Sequence, residues 1–437
     1  MLSREQNALL TRVGAGEPAG RLLRHYWMPA ALSDELSADR PLVPVTLLGE
    51  RLVLFRDEQG RLGLVQRHCP HRGADLCFGR LEDGGLRCVF HGWLFDVEGH
   101  CLEQPAEPTG SRMHEQIRAN SYPVKERNGV VFAYLGPGDP PPMAGLDCLS
   151  APPSHVFAFK GLWECNWLQA LEVGIDPAHA SYLHRFFEDE DPAESYGQQF
   201  RDRPVNTDVP LTELLRQHAR PEIRVERTDY GLRLITLRDP GDGNHMHVRV
   251  THQVFPCAIT IPMSVDMNIT QWHVPVDDTH CYWYAMFTSY GPPVDRDTMR
   301  AQRLAEHELP TYRPRKNAGN NYHYDPAEQR DRTYTGMGFD INVHDQWACE
   351  SMGPIQDRTD EHLGRSDIAI IQYRRLLREM IGRVEAGKND LMMRGAETAS
   401  IIGPMAVDAV VDRENWQLKW PDAERDRRTA DWALANR

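Results

Sequence analysis

The sequence predicts an α+β protein in which a small antiparallel β domain precedes a larger domain of mixed helices and strands. Residues 42–135 consist of short runs rich in Val, Leu and Phe, such as RLVLFRD and GVVFAYLG, which glycines interrupt. This pattern is typical of antiparallel strands joined by tight turns. Farther along, long strand-like runs near 221–288 precede a helical pattern that follows Ser366, which indicates an α+β order of elements.

Three segments follow from these patterns. Residues 1–40 form an N-terminal helical segment, because EQNALLTRV and AGRLLRHYWMPAAL show helical periodicity. Residues 41–138 are the β domain, which ends in an extended linker at the prolines of LGPGDPPPMAGL. Residues 139–437 are the second domain, and its late helix, SDIAIIQYRRLLREMI, has Ser366 as a candidate N-cap.

The amino-acid composition indicates which classes of partner the protein is not expected to bind. The 49 Lys and Arg against 63 Asp and Glu give a net charge of -14, which disfavours binding to nucleic acid or to an anionic membrane. The N-terminus lacks the apolar run of a signal peptide, and no stretch approaches the roughly 20 apolar residues of a membrane span. We therefore expect a cytoplasmic protein whose nine cysteines are buried thiols or metal ligands rather than disulfides.

The segment RHCPHRGADLCFGRLEDGGLRCVFHGW supplies one Cys and one His in each of two loops. Cys69 and His71 lie in the first loop, and Cys88 and His91 follow after 16 intervening residues. Two Cys on one iron and two His on the other is the ligand set of a [2Fe-2S] cluster with a raised potential. A zinc ion is the alternative, although zinc fingers usually pair Cys with Cys and His with His.

A second candidate metal site lies in NWLQALEVGIDPAHASYLHR. His179 and His184 are five residues apart, which on a regular α-helix separates them by roughly 140° around the axis. A π-type turn would return both to one face, and such turns concentrate at functional sites. We therefore predict a distorted helix whose two imidazoles, with one carboxylate, bind Fe(II); two unrelated histidines are the alternative.

The first motif, C-x-H followed by C-x₂-H and flanked by HRG and HGW, resembles the Rieske motif of aromatic ring-hydroxylating oxygenases. The resemblance covers nearly the whole chain and is closest to the phthalate dioxygenase-like branch, which includes aromatic-acid dioxygenases and aryl O-demethylases. Its segments are QRHCPHRGADL, GLRCVFHGW, HVRVT, ITQWHVP and QDRTDEHLGRSD. It implies a Rieske β-sandwich followed by a helix-grip catalytic domain, an antiparallel sheet with helices, in a homotrimer or hexamer.

The resemblance also implies the third ligand of the mononuclear iron. In the family a late helix carries an Asp five residues before a Glu, and NVHDQWACE matches this pattern with Asp345 and Glu350. Three other carboxylates remain alternatives, each as a helix cap or a surface ion pair: Asp340, Asp357 and Asp367.

Asp176, three residues before His179, matches the family's bridging aspartate. In the family this residue links the mononuclear iron to a Rieske histidine of the neighbouring subunit. A carboxylate that accepts a hydrogen bond from a ligand imidazole also fixes its tautomer. The alternative reading of Asp176 is a helix N-cap ahead of Pro177, and both roles are compatible.

Substrate residues are less clearly marked. Branch members that hold aromatic carboxylates use Arg side chains and a hydroxyl beside the first ligand histidine, where this chain has Ala180 and then Ser181. On the alternating run HMHVRVTHQVF, Arg249 shares a face with His247 and Thr251. We expect this face to line the pocket and Arg249 to hold a carboxylate, an exposed charge being the alternative. Weaker candidates are Arg201 and Arg203.

The function implied is that of the oxygenase component of a Rieske system, which uses O₂ and NAD(P)H-derived electrons to O-demethylate or hydroxylate a lignin-derived or phthalate-type aromatic acid. A cis-dihydroxylating dioxygenase is the alternative.

The electrons need a separate protein. GAGEPAG resembles a dinucleotide-binding fingerprint, but it follows a helical pattern rather than a strand, and the chain has no C-x₄-C-x₂-C run of a plant-type ferredoxin. We therefore expect a separate reductase, with or without a ferredoxin. Three basic residues near the cluster motif are candidates for steering it: Arg67, Arg72 and Arg80. The non-enzymatic alternatives are a Rieske electron-transfer protein and a zinc-binding scaffold.

Overall fold

A computed structural model of the protein describes residues 1–187, 203–395, 398 and 403–435, and within these ranges the predicted α+β order is confirmed. The N-terminal segment begins with helix α1 (Arg4–Thr11), which has a capping box between Ser3 and Gln6, and continues with α2 (Pro18–Arg24), which begins at a proline. The predicted continuation of this helical pattern is wrong beyond Arg24. Residues 27–32 instead form a strand, because they pair with residues 130–134.

The β domain contains three small antiparallel sheets. Its strands are β1 (Trp27–Leu32), β2 (Leu42–Leu47), β3 (Glu50–Arg56), β4 (Leu62–Gln66), β5 (Arg80–Glu82), β6 (Gly85–Arg87), β7 (Leu94–Phe95), β8 (Cys101–Glu103), β9 (Val124–Arg127) and β10 (Val130–Tyr134). The sheet orders are β1-β10-β9, β2-β3-β4 and β5-β6-β7-β8. One loop with a Cys–His pair follows β4 and the other connects β6 to β7, so that rigid strands hold both loops.

The second domain is built on one eight-stranded antiparallel sheet of order β11-β17-β16-β15-β14-β13-β12, with β20 paired to β14. Its strands are β11 (Val156–Trp163), β12 (Glu222–Arg227), β13 (Gly231–Arg238), β14 (His245–Val254), β15 (Ala258–Ser264), β16 (Met267–Pro275), β17 (Cys281–Ser289) and β20 (Val407–Asp412). A separate short hairpin consists of β18 (His307–Glu308) and β19 (Arg313–Pro314). The register of β14 and β20 places Arg249 opposite Asp408.

Helices cover this sheet. After α1 and α2 they are α3 (Asp147–Ser150), α4 (Trp167–Gly174), α5 (Ala180–Leu183), α6 (Leu211–Gln217), α7 (Arg296–Glu306), α8 (Pro326–Asp331), α9 (Ile341–Glu350), α10 (Ile368–Glu385), α11 (Trp416–Asp426) and α12 (Asp431–Leu434). Helix α4 packs on β16 and α9, and α10 packs against α2 and β12. The N-cap of α10 is Asp367 rather than the predicted Ser366, which lies in the short turn before it.

The cysteines and the helices agree with two further expectations. All nine cysteines lie within the described residues and are free thiols, so the expected absence of a disulfide framework is confirmed. Within the described part of the chain, no helix has the length and apolar character needed to cross a bilayer.

Candidate metal centres and substrate cavity

Two loops of the β domain share one backbone geometry. In each loop the N–H of a glycine donates to the carbonyl oxygen of a cysteine four residues earlier, Gly73 to Cys69 and Gly92 to Cys88, both at 2.9 Å. The cysteine N–H in turn donates to the carbonyl oxygen of the residue after the glycine, Ala74 in the first loop and Trp93 in the second, at 2.8 Å in both. Gly73 and Gly92 have φ of 79° and 74°, a region that residues with a Cβ rarely adopt. The glycines of the motif are therefore required by the backbone.

Each of these loops carries a cysteine and a histidine toward the other loop. The rings of His71 and His91 lie 4.4 Å apart between centroids, and His71 stacks on Trp93 at the same separation. Both Nδ1 atoms are buried without a hydrogen-bond partner among the described residues. Burial raises the pKa of the Cys69 thiol to about 12, and the neighbouring Cys88 acts in the same direction. Two buried thiols and two buried ring nitrogens without a hydrogen-bond partner are a donor set that suits a metal group.

The spread of these four donors fits a cluster better than a single ion. Among the described residues, the one group of three or more His, Cys, Asp or Glu side chains whose ligand atoms all lie within 4.8 Å of one another is elsewhere, in the second domain. A zinc ion would draw its four ligands together around one point. A [2Fe-2S] cluster holds its Cys pair and its His pair on separate irons, so its four ligand atoms do not have to converge within that distance.

The basic residues around the first motif are mostly neutralised. Arg67 contacts Asp75 at 2.7 Å and Arg80 contacts Glu82 at 2.9 Å, whereas Arg72 lies over the ring of Phe90 at 5.5 Å. Paired charges generate little long-range field. Arg67 and Arg80 are thus poor candidates for steering a reductase.

The converging group in the second domain is the predicted trio of His179, His184 and Asp345. The two Nε2 atoms lie 3.2 Å apart, and Asp345 Oδ1 lies 3.6 Å from His179 Nε2 and 3.2 Å from His184 Nε2. Ligands about 2.1 Å from an ion at right angles to each other are separated by about 3 Å, so the trio has the spacing of a facial metal site. Burial raises the pKa of Asp345 to about 6 and lowers that of His179.

The two histidines converge because a short helix ends between them. Helix α5 contains four residues, with His179 and His184 as its caps. The Leu183 N–H donates to the His179 carbonyl at 2.8 Å, an α-type bond, and His184 has left the helical region with φ of -104° and ψ of 27°. The predicted π-type turn is therefore wrong. A helix end achieves the same convergence.

Asp176 lies where two cavities meet. Its carbonyl oxygen accepts a hydrogen bond from His179 Nδ1, and its Oδ1 accepts from the Ala178 N–H at 2.9 Å. The backbone, rather than the expected carboxylate, therefore holds the His179 ring. The side chain lines both a cavity of about 820 Å³ and a smaller one of about 140 Å³. The predicted helix-capping role of Asp176 is wrong, because the N-cap of α5 is His179; the Asp176 carboxylate instead stabilises a turn through the Ala178 N–H.

The rival carboxylates all have structural roles, as expected. Asp340 caps α9 and forms a buried ion pair with Arg303 at 2.9 Å. Asp357 accepts from the Thr359 N–H at 2.9 Å, and Asp367 accepts from the Gly364 N–H at 2.5 Å.

The smaller cavity contains the trio and is the candidate substrate cavity. Its walls include Trp163, Ile261, Ile269 and Trp283, which provide apolar surface. Ala180 also lines it, whereas the hydroxyl of Ser181 is buried without a partner among the described residues. The position beside the first ligand histidine thus presents a methyl group to the cavity.

Arg249 and Thr251 line this cavity as predicted, but Arg249 is already paired. Its Nη1 contacts Asp408, and its Nη2 donates to the Pro262 carbonyl at 3.0 Å. His247 faces Asp408 as well, instead of the cavity. Arg203 is an exposed residue paired with Asp208. Arg201 lies outside the described residues.

Arg238 is a cavity residue that the sequence did not single out. It is 2% exposed, and its Nη1 has no hydrogen-bond partner in the described part of the chain. Its Nε donates to the His218 carbonyl at 3.2 Å. Burial lowers the pKa of Arg238 to about 10, which leaves it charged at neutral pH. Its position within a strand-like run was the only signal in the sequence, and Arg238 is the last residue of β13.

His273 is a second polar residue that the sequence did not single out. It lines the cavity, is 1% exposed, and has both ring nitrogens without a partner among the described residues. Burial lowers the pKa of His273 to about 3. The neutral ring therefore offers the cavity one donor and one acceptor.

Comparisons with known proteins agree with both halves of the chain. Residues 26–123 match the Rieske [2Fe-2S] domain family, and residues 133–431 match the family described as LigXa C-terminal domain like. The chain is 37% identical over 401 residues to the oxygenase subunit of phthalate 4,5-dioxygenase from Pseudomonas putida, with 89% of this chain and 88% of the relative covered.

Two further relatives extend the comparison. The oxygenase subunit of 5,5'-dehydrodivanillate O-demethylase from Sphingobium sp. is 31% identical over 419 residues, with 94% of this chain and 86% of the relative covered. The terminal oxygenase of carbazole 1,9a-dioxygenase from Novosphingobium sp. KA1 shares the fold at a TM-score of 0.55 and 20% identity, over 86% of this chain and 94% of that one. Oxygenase components of this kind receive electrons from a separate reductase or ferredoxin. The chain is therefore a member of the Rieske non-haem iron oxygenase family, an oxygenase component with a [2Fe-2S] cluster and a mononuclear iron.

Proposed function

We propose that this chain O-demethylates or hydroxylates an aromatic acid, with O₂ as co-substrate and electrons from NAD(P)H that a separate reductase, with or without a ferredoxin, delivers. One observation carries the proposal. The His179–His184–Asp345 trio opens into the same cavity as the buried guanidinium of Arg238. We place the enzyme in the cytoplasm, where reduced nicotinamide is available.

Within this proposal four residues hold the [2Fe-2S] cluster: Cys69, His71, Cys88 and His91. Their loops keep the two cysteines buried at 3% exposure and the two rings close together. Cysteine ligands bind as thiolates, so binding of the cluster would release the proton that burial favours on the Cys69 thiol. When bound, the cluster supplies single electrons and the mononuclear iron supplies O₂ activation.

Three residues hold the mononuclear iron on one side: His179, His184 and Asp345. Asp345 would bind the metal as a carboxylate, which is the ligand form of this side chain. The trio lines the smaller cavity, whose walls also include Val173, Pro177 and Asn342. A triad of two His and one carboxylate leaves positions open for O₂ and substrate.

The charges of the cavity favour a substrate with one carboxylate. Asp408 contacts Arg249 and so offsets its charge, while Arg238 keeps an amino group free. An unpaired buried charge is unfavourable, and a carboxylate that accepts from the Nη1 atom would relieve it. The apolar walls contact an aromatic ring, and His273 can bind a hydroxyl or methoxy substituent through its free nitrogens.

Two apolar surfaces support a head-to-tail homotrimer, or a hexamer built from two such trimers. Val89 and Phe90 project from the second cluster loop and are 59% and 55% exposed. The large cavity beside Asp176 is lined by Tyr182 and Tyr334, both partly exposed. Adjoining exposed apolar side chains are candidates for a subunit interface. In the proposed assembly the cluster loops of one subunit enter the cavity of the next, and Asp176 bridges the two metal centres.

The test is O₂ uptake by anaerobically purified protein with a reductase and NADH, over a panel of phthalates and methoxylated aromatic acids. Uptake coupled to formaldehyde release would establish O-demethylation. Coupled uptake without formaldehyde would establish ring hydroxylation, and a product with two new hydroxyl groups would identify the dihydroxylating alternative. Iron-loaded protein without coupled turnover on any acid would overturn the assignment to aromatic acids.

A further inference from the structure

His344 adjoins the mononuclear site without belonging to the trio. It lies on α9 directly before Asp345 and is fully buried. Its ring is nearly parallel to that of His184, with an interplanar angle of 23° and 5.7 Å between centroids. The two Nδ1 atoms lie 3.4 Å apart, and His344 Nε2 lies 2.8 Å from the Gly338 carbonyl oxygen.

The direction of these hydrogen bonds follows from the carbonyl at their end. A carbonyl oxygen only accepts, so His344 Nε2 carries the hydrogen that it donates to Gly338. The Nδ1 of a neutral His344 is then an acceptor, and the hydrogen between the two rings belongs to His184 Nδ1. The Nε2 of His184, which lies 3.2 Å from Asp345 Oδ1, therefore carries no hydrogen, and its lone pair can bind a metal.

The acceptor for His344 is itself fixed. Gly338 has φ of 85°, a conformation that suits glycine, and its N–H donates to Glu328 Oε1 at 2.7 Å. The same carboxylate oxygen accepts from the Thr333 hydroxyl at 2.6 Å. A chain of hydrogen bonds thus extends from helix α8 through Gly338 and His344 to His184.

We propose that His344 is a positioning residue for the mononuclear iron, which sets the tautomer and ring orientation of His184. This inference rests on the proposed ligand set. It also separates the two histidines of the trio: His179 is held by the backbone carbonyl of Asp176, whereas His184 depends on a side chain that mutation can remove. Partners of this kind typically change metal affinity by about 10- to 100-fold.

The test compares His344→Leu with His344→Gln in the full-length enzyme. Leu removes both hydrogen bonds, whereas the Gln amide can accept from His184 and donate to Gly338. We expect Leu to weaken Fe(II) retention against a chelator by about 10- to 100-fold, and Gln to restore most of it. The EPR spectrum of the Fe(II) site with nitric oxide as probe should change in the Leu variant and return toward the wild-type form in the Gln variant.

Two controls separate this role from loss of packing and from failure of the ligand set. His252 is 1% exposed and bonded to the Met405 carbonyl at 2.6 Å and to the Tyr230 hydroxyl at 2.8 Å, so His252→Leu removes comparable contacts at a position that does not line the substrate cavity. Its Fe(II) retention should match the wild type, with the visible absorption of the cluster as an internal reference in every variant.

His184→Ala tests the ligand set itself. If it loses the mononuclear iron while His344→Leu retains wild-type affinity and spectrum, His344 is not a positioning residue. If His184→Ala keeps the iron, the proposed ligand set fails and the inference fails with it. Equal losses in the Leu and Gln variants would also overturn the proposal, because a hydrogen-bonding role requires rescue by the amide.

Discussion

His179 donates a hydrogen bond from Nδ1 to the backbone carbonyl oxygen of Asp176 and not to its carboxylate. The carboxylate makes a separate contact, in which Oδ1 accepts from the Ala178 N–H, and it lines both cavities. The orientation of His179 is therefore independent of the Asp176 side chain. This separates two roles that the family resemblance combined in one carboxylate, holding the iron ligand and bridging to the neighbouring subunit.

Asp176→Asn should leave the mononuclear iron in place while it slows turnover. The Asn side chain still accepts from the Ala178 N–H, and the carbonyl that holds His179 is unchanged, whereas the negative charge toward the adjoining subunit is lost. We expect near wild-type iron content and a decrease in coupled O₂ uptake of about 10- to 100-fold. Iron analysis and oxygen electrode measurements check this, with His179→Ala as the control that loses iron. Loss of iron from Asp176→Asn would contradict the separation of roles.

Arg238→Met should weaken the binding of aromatic acids more than it slows chemistry. A charged hydrogen bond to a carboxylate contributes about 1.5–3 kcal/mol, so we expect KM to rise about 10- to 100-fold with a smaller change in kcat. The methyl ester of the same acid is the control, because it lacks the charge that Arg238 binds and should respond little to the substitution. An unchanged KM for the acid would show that Arg238 does not contact the carboxylate.

Asp408 should make the stability of the fold sensitive to acid. Burial alone would raise the pKa of Asp408, but the contacts of Arg249 and His247 outweigh it and hold this pKa far below that of an exposed Asp. A depressed carboxyl pKa contributes stability above about pH 4, the unfolded value, and this contribution is lost as the pH falls toward the folded pKa.

Urea unfolding between about pH 7 and pH 3 measures this contribution. We expect the free energy of unfolding of the wild type to fall below about pH 4, and Asp408→Asn to be less sensitive to pH in that range. At neutral pH the variant should be less stable by about 3–5 kcal/mol, because the partly buried Arg249 is left without its anion. Parallel pH profiles for wild type and variant would show that Asp408 is not the group responsible.

The sequence predicted the features of the fold that local sequence patterns determine. Gly-interrupted runs located the strands of the β domain, and the Cys and His spacing located the cluster loops. The family resemblance, rather than spacing, supplied Asp345 as the third ligand of the second centre. Strand β1 was missed because its partner, β10, follows about a hundred residues later, and Trp27 pairs with Tyr134. Helical periodicity in the N-terminal run concealed this long-range pairing.

The sequence could not predict which charges of the cavity are paired, because that pairing also joins residues far apart in the chain. Arg249 was a sound candidate for a carboxylate site from its alternation on β14, and it does line the cavity. Its partner, Asp408, lies 159 residues farther along the chain on a strand that only the folded sheet brings beside it. With Arg249 paired, Arg238 is the cavity guanidinium whose Nη1 has no partner among the described residues, and its neighbours in sequence indicate a strand but not this unpartnered nitrogen.

Gly73→Ala should impair cluster retention through the backbone alone. Gly73 has φ of 79°, and an added Cβ would meet nothing within 4 Å, so the penalty is conformational, about 1–2 kcal/mol. Gly382→Ala is a matched control, since that glycine lies within α10 with equally open surroundings and should gain up to about 1 kcal/mol. Cluster absorption during incubation with a chelator measures retention. Equal retention by both variants would show that the left-handed turn at Gly73 does not constrain the cluster loop.

Val89→Asp should dissociate the proposed head-to-tail trimer while the cluster remains bound. Val89 lies between Cys88 and Phe90, and its exposed side chain would enter the apolar cavity of the next subunit, where a carboxylate without a partner is strongly disfavoured. We expect light scattering to report monomers with normal cluster absorption and loss of coupled O₂ uptake, because Asp176 then has no adjoining cluster loop. Leu418→Asp is the matched control: Leu418 is 71% exposed on α11, which packs on β20 in the second domain, and its replacement should leave the assembly intact. Wild-type assembly of the Val89 variant would place the subunit interface on another surface.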